Sequence, residues 1–428
     1  MGKKWLAMNQ TRFKTGDQAL IRQINLAVIL DQLRESAPLS RAALAEKTGL
    51  NKTTVSSLVS ELIEQNLVVE TGLGSTRIGR PSVQLTLNPK AGFLVSIEVG
   101  VNFISVIAAD FAPHIIYKLN KSIDPNQDQQ EVIEQVLVLL KHVISENQQM
   151  YGRLLGVAVG VPGLVDFAKG VVLIAPNLHW SDVQLVEILR ENVSAPVLLD
   201  NEANLAALGE VHFGAARGYG EVLYISAGMG LGGGIVFNGT VMRGVTGFAG
   251  EFGHMTIDAE GALCGCGNRG CWETQASQRA LFGVIRTAAA SGQKTLLTDL
   301  ARGNLNNLSM DHVVEAAKAG DELCLQALRR IGSSLGIGIA SLTNAFNPEL
   351  VVVGGPLSLA WEWLEPEIHG EVRRRALGWH QTAARIVPAR HGVDACVMGG
   401  VAAIYDLILA NPGGHRLALA GLPVFMTT

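Results

Sequence analysis

The feature that most constrains the fold is a pattern after Ala91, where short apolar runs end in turns rich in glycine. Apolar runs of four to eight residues between turn signals are typical of strands buried on both faces. The matching segments are FLVSIEV, ISVIAAD, LLGVAVGVPG, APVLLDN, EVLYISAGMGLGGGIVF and LVVVGGP. Helical stretches separate them, and the clearest is VIEQVLVLLKHVI, with Val132, Val136, Leu139 and Val143 on one face.

Strands that alternate with helices predict an α/β body whose sheets are covered by helices. We expect a first α/β lobe at residues 91–200, completed by residues 391–428, and a second lobe at residues 201–390. No exact repeat is visible, although glycine-rich turns follow strands near residues 100, 163, 230 and 355. Because no long linker separates the lobes, we expect a hinged pair with a ligand cleft between them.

The N-terminal 90 residues differ in charge from the rest of the chain. They carry 12 Lys and Arg against 7 Asp and Glu, whereas the remainder carries 22 against 31. A basic head on an acidic body indicates that a polyanionic partner meets the head, although a merely solvated surface is the alternative.

Helix signals in this head follow the order helix, turn, helix. Apolar residues first recur at helical spacing, at Ile21, Ile24, Val28 and Ile29. Ser40 is then a predicted N-cap for a short helix through Thr48, Gly49 breaks that helix, and Asn51 caps the next. The predicted core stripe of this last helix is Val55, Leu58, Val59 and Leu62.

This order, followed by a predicted hairpin in TGLGSTRIGRPSVQLTL, is typical of a winged helix-turn-helix at residues 1–90, whose second helix enters the major groove. The opposite face of that helix has short hydroxyls and one Lys without acids, which suits phosphate and base-edge contacts. The predicted DNA contacts are Lys52, Thr53, Ser56, Ser57 and Ser60 in the groove, with Arg77 and Arg80 near the wing tip. An ordinary three-helix packing module is the alternative.

Bulk properties place the chain among globular proteins of the cytoplasm. With 428 residues and 48% hydrophobic content, it can bury substantial cores. The start, MGKKWLAMNQTRF, lacks the apolar region of a signal peptide, and no uninterrupted apolar run of about 18 residues predicts membrane insertion. The five Cys are odd in number, and three are clustered, which favours a metal or free thiols over disulfides.

The clustered cysteines have metal-ligand spacing. Cys264, Cys266 and Cys271, with His254 ten residues upstream, form a Cys3His set typical of a closed structural zinc site. Four protein ligands leave no open position for a metal-bound water, so hydrolytic zinc chemistry is disfavoured. Free thiols in a loop are the alternative.

Two carboxylates flank these ligands. Glu251 lies three positions before His254, and Glu273 lies two after Cys271. If a metal folds the loop back, both carboxylates line one pocket beside the imidazole, where they can bind sugar hydroxyls. The alternative is that both are solvated loop residues.

The stretches LDNEANLAALGE, GFAGEFGH and CGCGNRGCWE, with a winged helix that ends in GRPSVQLTLN, closely resemble the ROK family of repressors, open reading frames and kinases. Within the family, IEVGVNFISVIAAD, APNLHWSDVQL and DNEAN are most similar to the xylose repressors. The resemblance covers residues 20 to about 405. It implies a two-lobed actin/hexokinase-like (ribonuclease H-like) body with a sugar in the cleft, and it leaves the apolar tail outside.

Carried over onto matching positions, the resemblance implies a set of sugar contacts. They fall on Gly163, Asn177, Asn201, Glu202, Glu251, His254 and Glu273. His254 is then expected to use one ring nitrogen for zinc and the other for the sugar.

The chain departs from the pattern of the family's kinases. Their first phosphate loop, Asp-x-Gly-Gly-Thr-Lys, is replaced by EVGVNF, in which Val101, Asn102 and Phe103 stand for Gly, Thr and a cation. Ala227 stands where the second loop usually has Thr. The kinases' catalytic Asp is replaced by Glu202, a degenerate base position. We therefore predict that the chain has no catalytic residue and does not bind ATP.

The sequence therefore predicts a sugar-responsive transcriptional repressor that binds a palindromic operator as a homodimer or dimer of dimers. A monosaccharide of the xylose or glucose type is the expected effector. The alternatives are an ATP-dependent sugar kinase of the ROK type and, third, sequestration by a phosphotransferase-system protein. The tail contains LALAGLPVFM, which could contact such a protein, pack on the protein's own body or pack on a twin subunit.

Overall fold

The computed structural model describes residues 18–73, 82–379 and 384–410, which divide into two compact units. The first unit contains the described residues up to Ala91, with Phe111–His114 and the end of the last helix from Tyr405. The second contains the rest of the described chain, with all of the predicted second lobe and most of the predicted first lobe. The two units are described separately below.

The first unit consists of three helices and a three-stranded antiparallel sheet of order β1-β3-β2. Ser40 Oγ accepts the N–H of Ala43, and Asn51 Oδ1 accepts that of Thr54, so both predicted caps form. Between them Gly49 has a φ of 70°, in the left-handed region that favours glycine. The elements are α1 (Gln18–Ser36), β1 (Leu39–Ser40), α2 (Arg41–Thr48), α3 (Lys52–Glu64), β2 (Val68–Leu73) and β3 (Val83–Leu87). The winged helix-turn-helix prediction is confirmed.

The apolar stripe predicted on α3 is buried, because Val55, Leu58, Val59 and Leu62 are each at most 2% exposed. The helix predicted from Ile21, Ile24, Val28 and Ile29 forms as α1, but of these four apolar residues only Ile29 is buried. Ile21 and Ile24 are 52% and 53% exposed, since α1 turns a different apolar stripe inward. That stripe consists of Leu26, Ile29, Leu30 and Leu33.

The second unit begins with a five-stranded sheet of order β11-β7-β4-β5-β6 and a smaller sheet of order β10-β9-β8. Strands β4, β5, β7 and β11 coincide with four of the apolar runs in the sequence, and their residues are almost all buried. The elements are β4 (Phe93–Val99), β5 (Phe103–Asp110), β6 (Ile115–Ser122), α4 (Gln129–Tyr151), β7 (Leu154–Val161), β8 (Leu164–Asp166), β9 (Val171–Ala175), β10 (Trp180–Val183), α5 (Leu185–Arg190) and β11 (Val197–Asn201).

A second five-stranded sheet has the order β14-β13-β12-β15-β16 and is covered by α11 and its neighbours. Its elements are α6 (Glu202–Phe213), β12 (Val222–Ala227), β13 (Leu231–Phe237), β14 (Thr240–Val241), α7 (Glu273–Ala276), α8 (Gln278–Ala290), α9 (Leu297–Leu300), α10 (Met310–Lys318), α11 (Glu322–Phe346), β15 (Leu350–Gly354), α12 (Trp361–Arg375), β16 (Arg385–Pro388) and α13 (Ala395–Ala410). Short 3-10 helices lie at Pro89–Ala91, Pro176–Leu178, Phe252–His254, Leu305–Asn307, Pro356–Ala360 and Gly392–Asp394.

The two large sheets share one topology, although no repeat is visible in the sequence. In each, three strands form an antiparallel meander, and two later strands add in parallel beside the first strand. The turn from β4 to β5 therefore corresponds to the glycine-rich turn from β12 to β13. The prediction of a two-lobed α/β body is confirmed.

The last helix, α13, returns to the first sheet. Gly400 lies against Ser96 on β4, and Gly156 on β7 lies against Ile404, so small residues allow the helix close to the strands. Among the described residues, Gly392–Leu409 is the one helical window long and apolar enough to cross a membrane, and 61% of it is buried inside the protein. This burial is what a core helix requires.

Candidate functional site

Four side chains after β14 converge as a metal-ligand set. The ligand atoms of His254, Cys264, Cys266 and Cys271 all lie within 4.8 Å of one another. Sγ of Cys266 is 3.6 Å from Sγ of Cys271, and Sγ of Cys264 is 3.7 Å from Nδ1 of His254. Around a tetrahedral zinc with Zn–S distances of about 2.3 Å, neighbouring ligand atoms are separated by roughly 3.5–3.8 Å. The donor set therefore fits a zinc ion.

Local backbone structure builds this set. Isolated bridges pair Thr256 with Cys271 and Leu263 with Arg269, which closes the loop into a small double turn. Gly270 has a φ of 67° and leaves no room for a Cβ against the carbonyl of Asp258. A side chain at this glycine would push the loop open, so the spacing of the ligands depends on it.

His254 connects the metal-ligand set to the two carboxylates. Its Nδ1 faces Cys264 and lies 3.7 Å from Oε1 of Glu273, whereas its Nε2 lies 4.0 Å from Oε2 of Glu251. Cys264 also donates to Oε1 of Glu273 at 2.9 Å. The ring thus has Nδ1 beside the thiol of Cys264 and the carboxylate of Glu273, and Nε2 beside the carboxylate of Glu251.

Glycines on the second sheet make space for the acids of this cluster. A Cβ on Gly230 would lie 2.9 Å from Oε2 of Glu273, and a Cβ on Gly232 would lie 3.2 Å from Oε1 of Glu202. Glu202 begins α6, directly after the first sheet ends at Asn201. The glycine-rich turn that resembles a phosphate loop therefore lies beside the carboxyl groups of Glu202 and Glu273.

Glu202 has an acidic neighbour that the sequence did not single out as a site residue. Burial raises the pKa of Glu98 to about 8, and burial with the nearby charge of Glu98 raises the pKa of Glu202 to about 8. Oε2 of each is buried without a hydrogen-bond partner among the described residues. A carboxyl with such a pKa is mostly protonated at pH 7 and can donate a hydrogen bond to a hydroxyl.

Glu251 shares this environment to a smaller extent. Burial raises its pKa, with His254 acting in the opposite direction and Glu273 in the same direction. The pKa of Glu202 is in turn raised by the charge of Glu251. The structure therefore brings Glu202, Glu251, His254 and Glu273 into one acidic cluster, as expected for a group that binds a polyhydroxylated ligand.

The remaining predicted sugar contacts lie on the first lobe. Asn201 Nδ2 donates to the carbonyl of Gly163 at 3.0 Å, and its Oδ1 caps α6 by accepting the N–H of Ala203. Gly163 has a φ of 120° and lies so close to Ala175 that only glycine fits. Asn177 is exposed and accepts from Nη2 of Arg279 at 3.2 Å, so Arg279 of the second lobe reaches across to it. No sequence signal marked Arg279.

The turn that replaces the first phosphate loop is closed. The N–H of Gly100 donates to the carbonyl of Phe103 at 2.9 Å, which makes a tight hairpin between β4 and β5. The Phe103 ring lies against Gly100 and leaves no room there for a Cβ. In the corresponding turn of the second sheet, Gly228 donates its N–H to the carbonyl of Gly230.

In the first unit, the face of α3 predicted to meet DNA is free of core contacts. Lys52, Thr53, Ser56, Ser57 and Ser60 are all exposed, and Ser60 Oγ donates to the carbonyl of Ser56 at 2.9 Å. Arg77 and Arg80 lie outside the described residues, as does the tail after Ala410.

The ROK family model matches residues 94–406, and a model of the winged helix-turn-helix DNA-binding family matches residues 28–69. The xylose repressor of Caldicellulosiruptor bescii is 33% identical over 93% of this chain and 99% of its own. A crystal structure of a ROK family transcriptional regulator, a homologue of the E. coli MLC protein, has a TM-score of 0.77 at 28% identity over 91% of this chain and 97% of that one.

A kinase is a further structural neighbour. The ROK family glucokinase from Streptomyces griseus, in complex with glucose and AMPPNP, has a TM-score of 0.66 at 31% identity. It covers 74% of this chain and 99% of its own length. The regulator therefore matches more of this chain, and matches it more closely in structure, than the kinase does.

Proposed function

The chain belongs to the ROK family, and from that premise we propose that it is a sugar-responsive transcriptional repressor. The winged helix binds operator DNA, and a monosaccharide of the xylose or glucose type binds in the cleft of the body and changes the affinity for DNA. The observation that carries the proposal is one chain that holds both an exposed α3 face with four short hydroxyl side chains and one Lys and a cluster of side chains that can bind sugar hydroxyls.

The chemistry of the site supports sugar as the effector. Glu251 and Glu273 offer acceptors, whereas the Nε2–H of a His254 that holds zinc through Nδ1 and the protonated Glu202 offer donors. Asn201 and Gly163 supply amide and backbone groups from the first lobe. Sites of this kind discriminate strongly against analogues that lack a hydroxyl, because their buried polar groups then remain unpaired.

Zinc, held by His254, Cys264, Cys266 and Cys271, is the proposed structural metal. The ion supplies folding free energy and fixes the tautomer and orientation of the His254 ring. The residues of the chain do the rest, because Nε2 of His254 and the two carboxylates remain available to the ligand. No hydrolytic role follows from a set with four protein ligands.

We further propose a homodimer, or a dimer of dimers, in the cytoplasm, with a palindromic operator. Helix-turn-helix proteins gain affinity by placing two recognition helices about one helical turn apart, or a multiple of it. Light scattering of the purified chain tests the oligomeric state. A monomer at micromolar concentration would contradict this part alone.

The sugar kinase is the second candidate, favoured by the glycines of the β12–β13 turn and by an acid at the base position, Glu202. It is disfavoured by the turn between β4 and β5, where the Phe103 ring fills the space beside Gly100 and where Val101 and Asn102 replace the Gly and Thr of the kinase loop. We therefore propose that the chain is not an enzyme.

The decisive experiment selects a duplex from a random DNA pool with the purified chain and then titrates the complex with xylose, glucose, N-acetylglucosamine and arabinose. We expect salt-dependent binding that weakens by about 5–150-fold with one of the first three sugars, the usual range of allosteric coupling. Failure to select any duplex would contradict DNA binding, and a flat response to every sugar would contradict the effector part.

A further inference from the structure

Asp200 and Arg243 form an ion pair inside the second unit, beside the candidate site. Nη2 of Arg243 donates to Oδ2 of Asp200 at 2.6 Å, and its Nε donates to the same oxygen at 3.2 Å. The side chain of Asp200 is 4% exposed, and that of Arg243 is 16% exposed. Asp200 lies on β11 of the first large sheet, whereas Arg243 follows β14 of the second. The pair therefore joins the two lobes.

On the first lobe, Asp200 is connected to the predicted sugar ligand Asn201. Its Oδ1 accepts the backbone N–H of Asn201 at 2.8 Å and Nδ2 of Asn204 at 3.1 Å. Asn201 in turn donates to the carbonyl of Gly163. The side chain of Asp200 thus holds the segment that carries Asn201 on one side and Arg243 on the other.

On the second lobe, Arg243 begins the loop that ends immediately before Glu251. Its carbonyl accepts the N–H of Ala249 at 3.0 Å, which closes the loop, and Gly250 lies against the backbone of Gly233 with no room for a Cβ. The guanidinium also lies 4.3 Å from the ring centre of Phe167, a first-lobe residue. The loop is therefore fixed at both of its ends.

From this geometry we propose that Arg243 is a positioning residue of the effector site, which acts through Asp200 to fix Asn201 and Glu251 at the separation that a sugar requires. The inference rests on the proposed function. Arg243 is assigned a positioning role because it bonds to Asp200 and lies against the ring of Phe167, both of which are first-lobe residues.

The physical reason is the cost of a broken pair at low exposure. If the guanidinium is removed, Asp200 remains as a buried charge with only its neutral partners, and the loop before Glu251 loses its attachment to the first lobe. Displacements of about 1 Å are enough to lower the performance of a binding or catalytic group by about a hundredfold. The effect should therefore appear in sugar affinity.

The test compares Arg243→Met, Arg243→Lys, Asp200→Asn and the double variant Arg243→Met with Asp200→Asn. Sugar binding is measured by calorimetry with xylose and glucose, and stability by urea unfolding. We expect Arg243→Met and Asp200→Asn each to weaken sugar binding by at least about tenfold, within the usual coupling range. Arg243→Lys should retain an intermediate affinity, and the double variant should be no weaker than the weaker single variant.

The control is Arg375→Met, which removes one of the two Arg side chains paired with Glu371, a carboxylate 7% exposed on α12. It should lower stability and leave sugar affinity unchanged. Equal affinity of the Arg243 variants and wild type would overturn the inference, and so would equal losses in Arg243→Met and Arg375→Met. If Arg243→Met does not fold, Arg243→Lys and Asp200→Asn decide by the same criterion. Absence of sugar binding by wild type would instead overturn the proposed function, and the inference with it.

Discussion

The ring of Phe103 lies on Gly100, at the turn where the family's kinases hold a nucleotide phosphate. The carbonyl of Phe103 also accepts the N–H of Gly100 at 2.9 Å, so the backbone donor that could face a phosphate is already used. This contact is the structural basis of the proposal that the chain is not a sugar kinase.

We therefore predict that the wild-type chain consumes no ATP above background with xylose, glucose or N-acetylglucosamine. A coupled ATP-consumption assay measures this, with a ROK family glucokinase as positive control. Phe103→Ala should also remain at background, because Val101 and Asn102 still replace the loop's Gly and Thr. Sugar-dependent turnover by the wild type would restore the kinase as the leading function.

For the metal, we predict that Cys266→Ser loses most of the bound zinc and unfolds at a markedly lower temperature. Structural zinc sites contribute about 10–16 kcal/mol of apparent binding free energy in small peptides, so a partial loss is large. Sugar response should fall as well, because His254 and Glu273 are held in the same loop.

Elemental analysis and thermal unfolding check this prediction. The matched control is Cys324→Ser, a buried thiol that donates to the carbonyl of Val313 outside the metal-ligand set. Its zinc content should equal that of wild type. Zinc that stays bound to Cys266→Ser, with an unaltered response to sugar, is the contrary result.

Stability should depend on pH through Glu98 and Glu202. The ordinary pKa is 4.5, and burial raises both values to about 8, so the folded chain holds extra protons between these limits. The free energy of unfolding therefore falls as pH rises from about 4.5 to about 8, and the destabilisation is absent below that window and complete above it.

Glu202→Gln removes one titrating group while keeping its shape. We expect the variant to be more stable than wild type at pH 8. Its free energy of unfolding should also fall less steeply with pH, and the two slopes should differ by less than about 1.4 kcal/mol per pH unit. Urea unfolding at pH 5, 7 and 8.5 measures this, with exposed Glu191→Gln as control. An identical slope in Glu202→Gln and wild type would show that Glu202 is not the group responsible.

On the DNA-binding unit, Lys52→Ala should weaken operator binding about equally for specific and non-specific duplexes. Loss of one phosphate contact lowers the slope of log affinity against log salt by about 0.9. Fluorescence anisotropy at several salt concentrations gives both quantities. The control is Lys141→Ala, on an exposed position of α4 in the body. A loss of the same size in both variants would contradict a specific role for α3.

Local patterns in the sequence predicted most of the elements. Ser40 and Asn51 cap helices where hydroxyl and amide side chains satisfy free N–H groups, and Gly49 takes the left-handed conformation between them. Buried strands were visible as apolar runs, because burial on both faces removes the polar alternation. The predicted buried face of α1 was wrong, because that helix has two apolar stripes and only tertiary packing determines which of them is buried.

The metal-ligand spacing was equally local, because three cysteines lie within eight positions and fold into one double turn. The contacts between distant segments could not be predicted from local spacing. Arg243 reaches Asp200 across 43 positions, and Glu98 approaches Glu202 across more than one hundred. No periodicity links such pairs, and each residue by itself resembles an ordinary surface charge.

The sequence by itself determined the order of the two units, the strands and helices, and the types of side chain available for metal, sugar and DNA. These follow from nearest-neighbour sterics, hydrophobic periodicity and donor chemistry, which act over a few residues. Only the tertiary structure decided which carboxyls are buried together and that an ion pair joins the lobes. Those outcomes depend on the pairing of strands remote in sequence, which sets distances and desolvation that no local pattern contains.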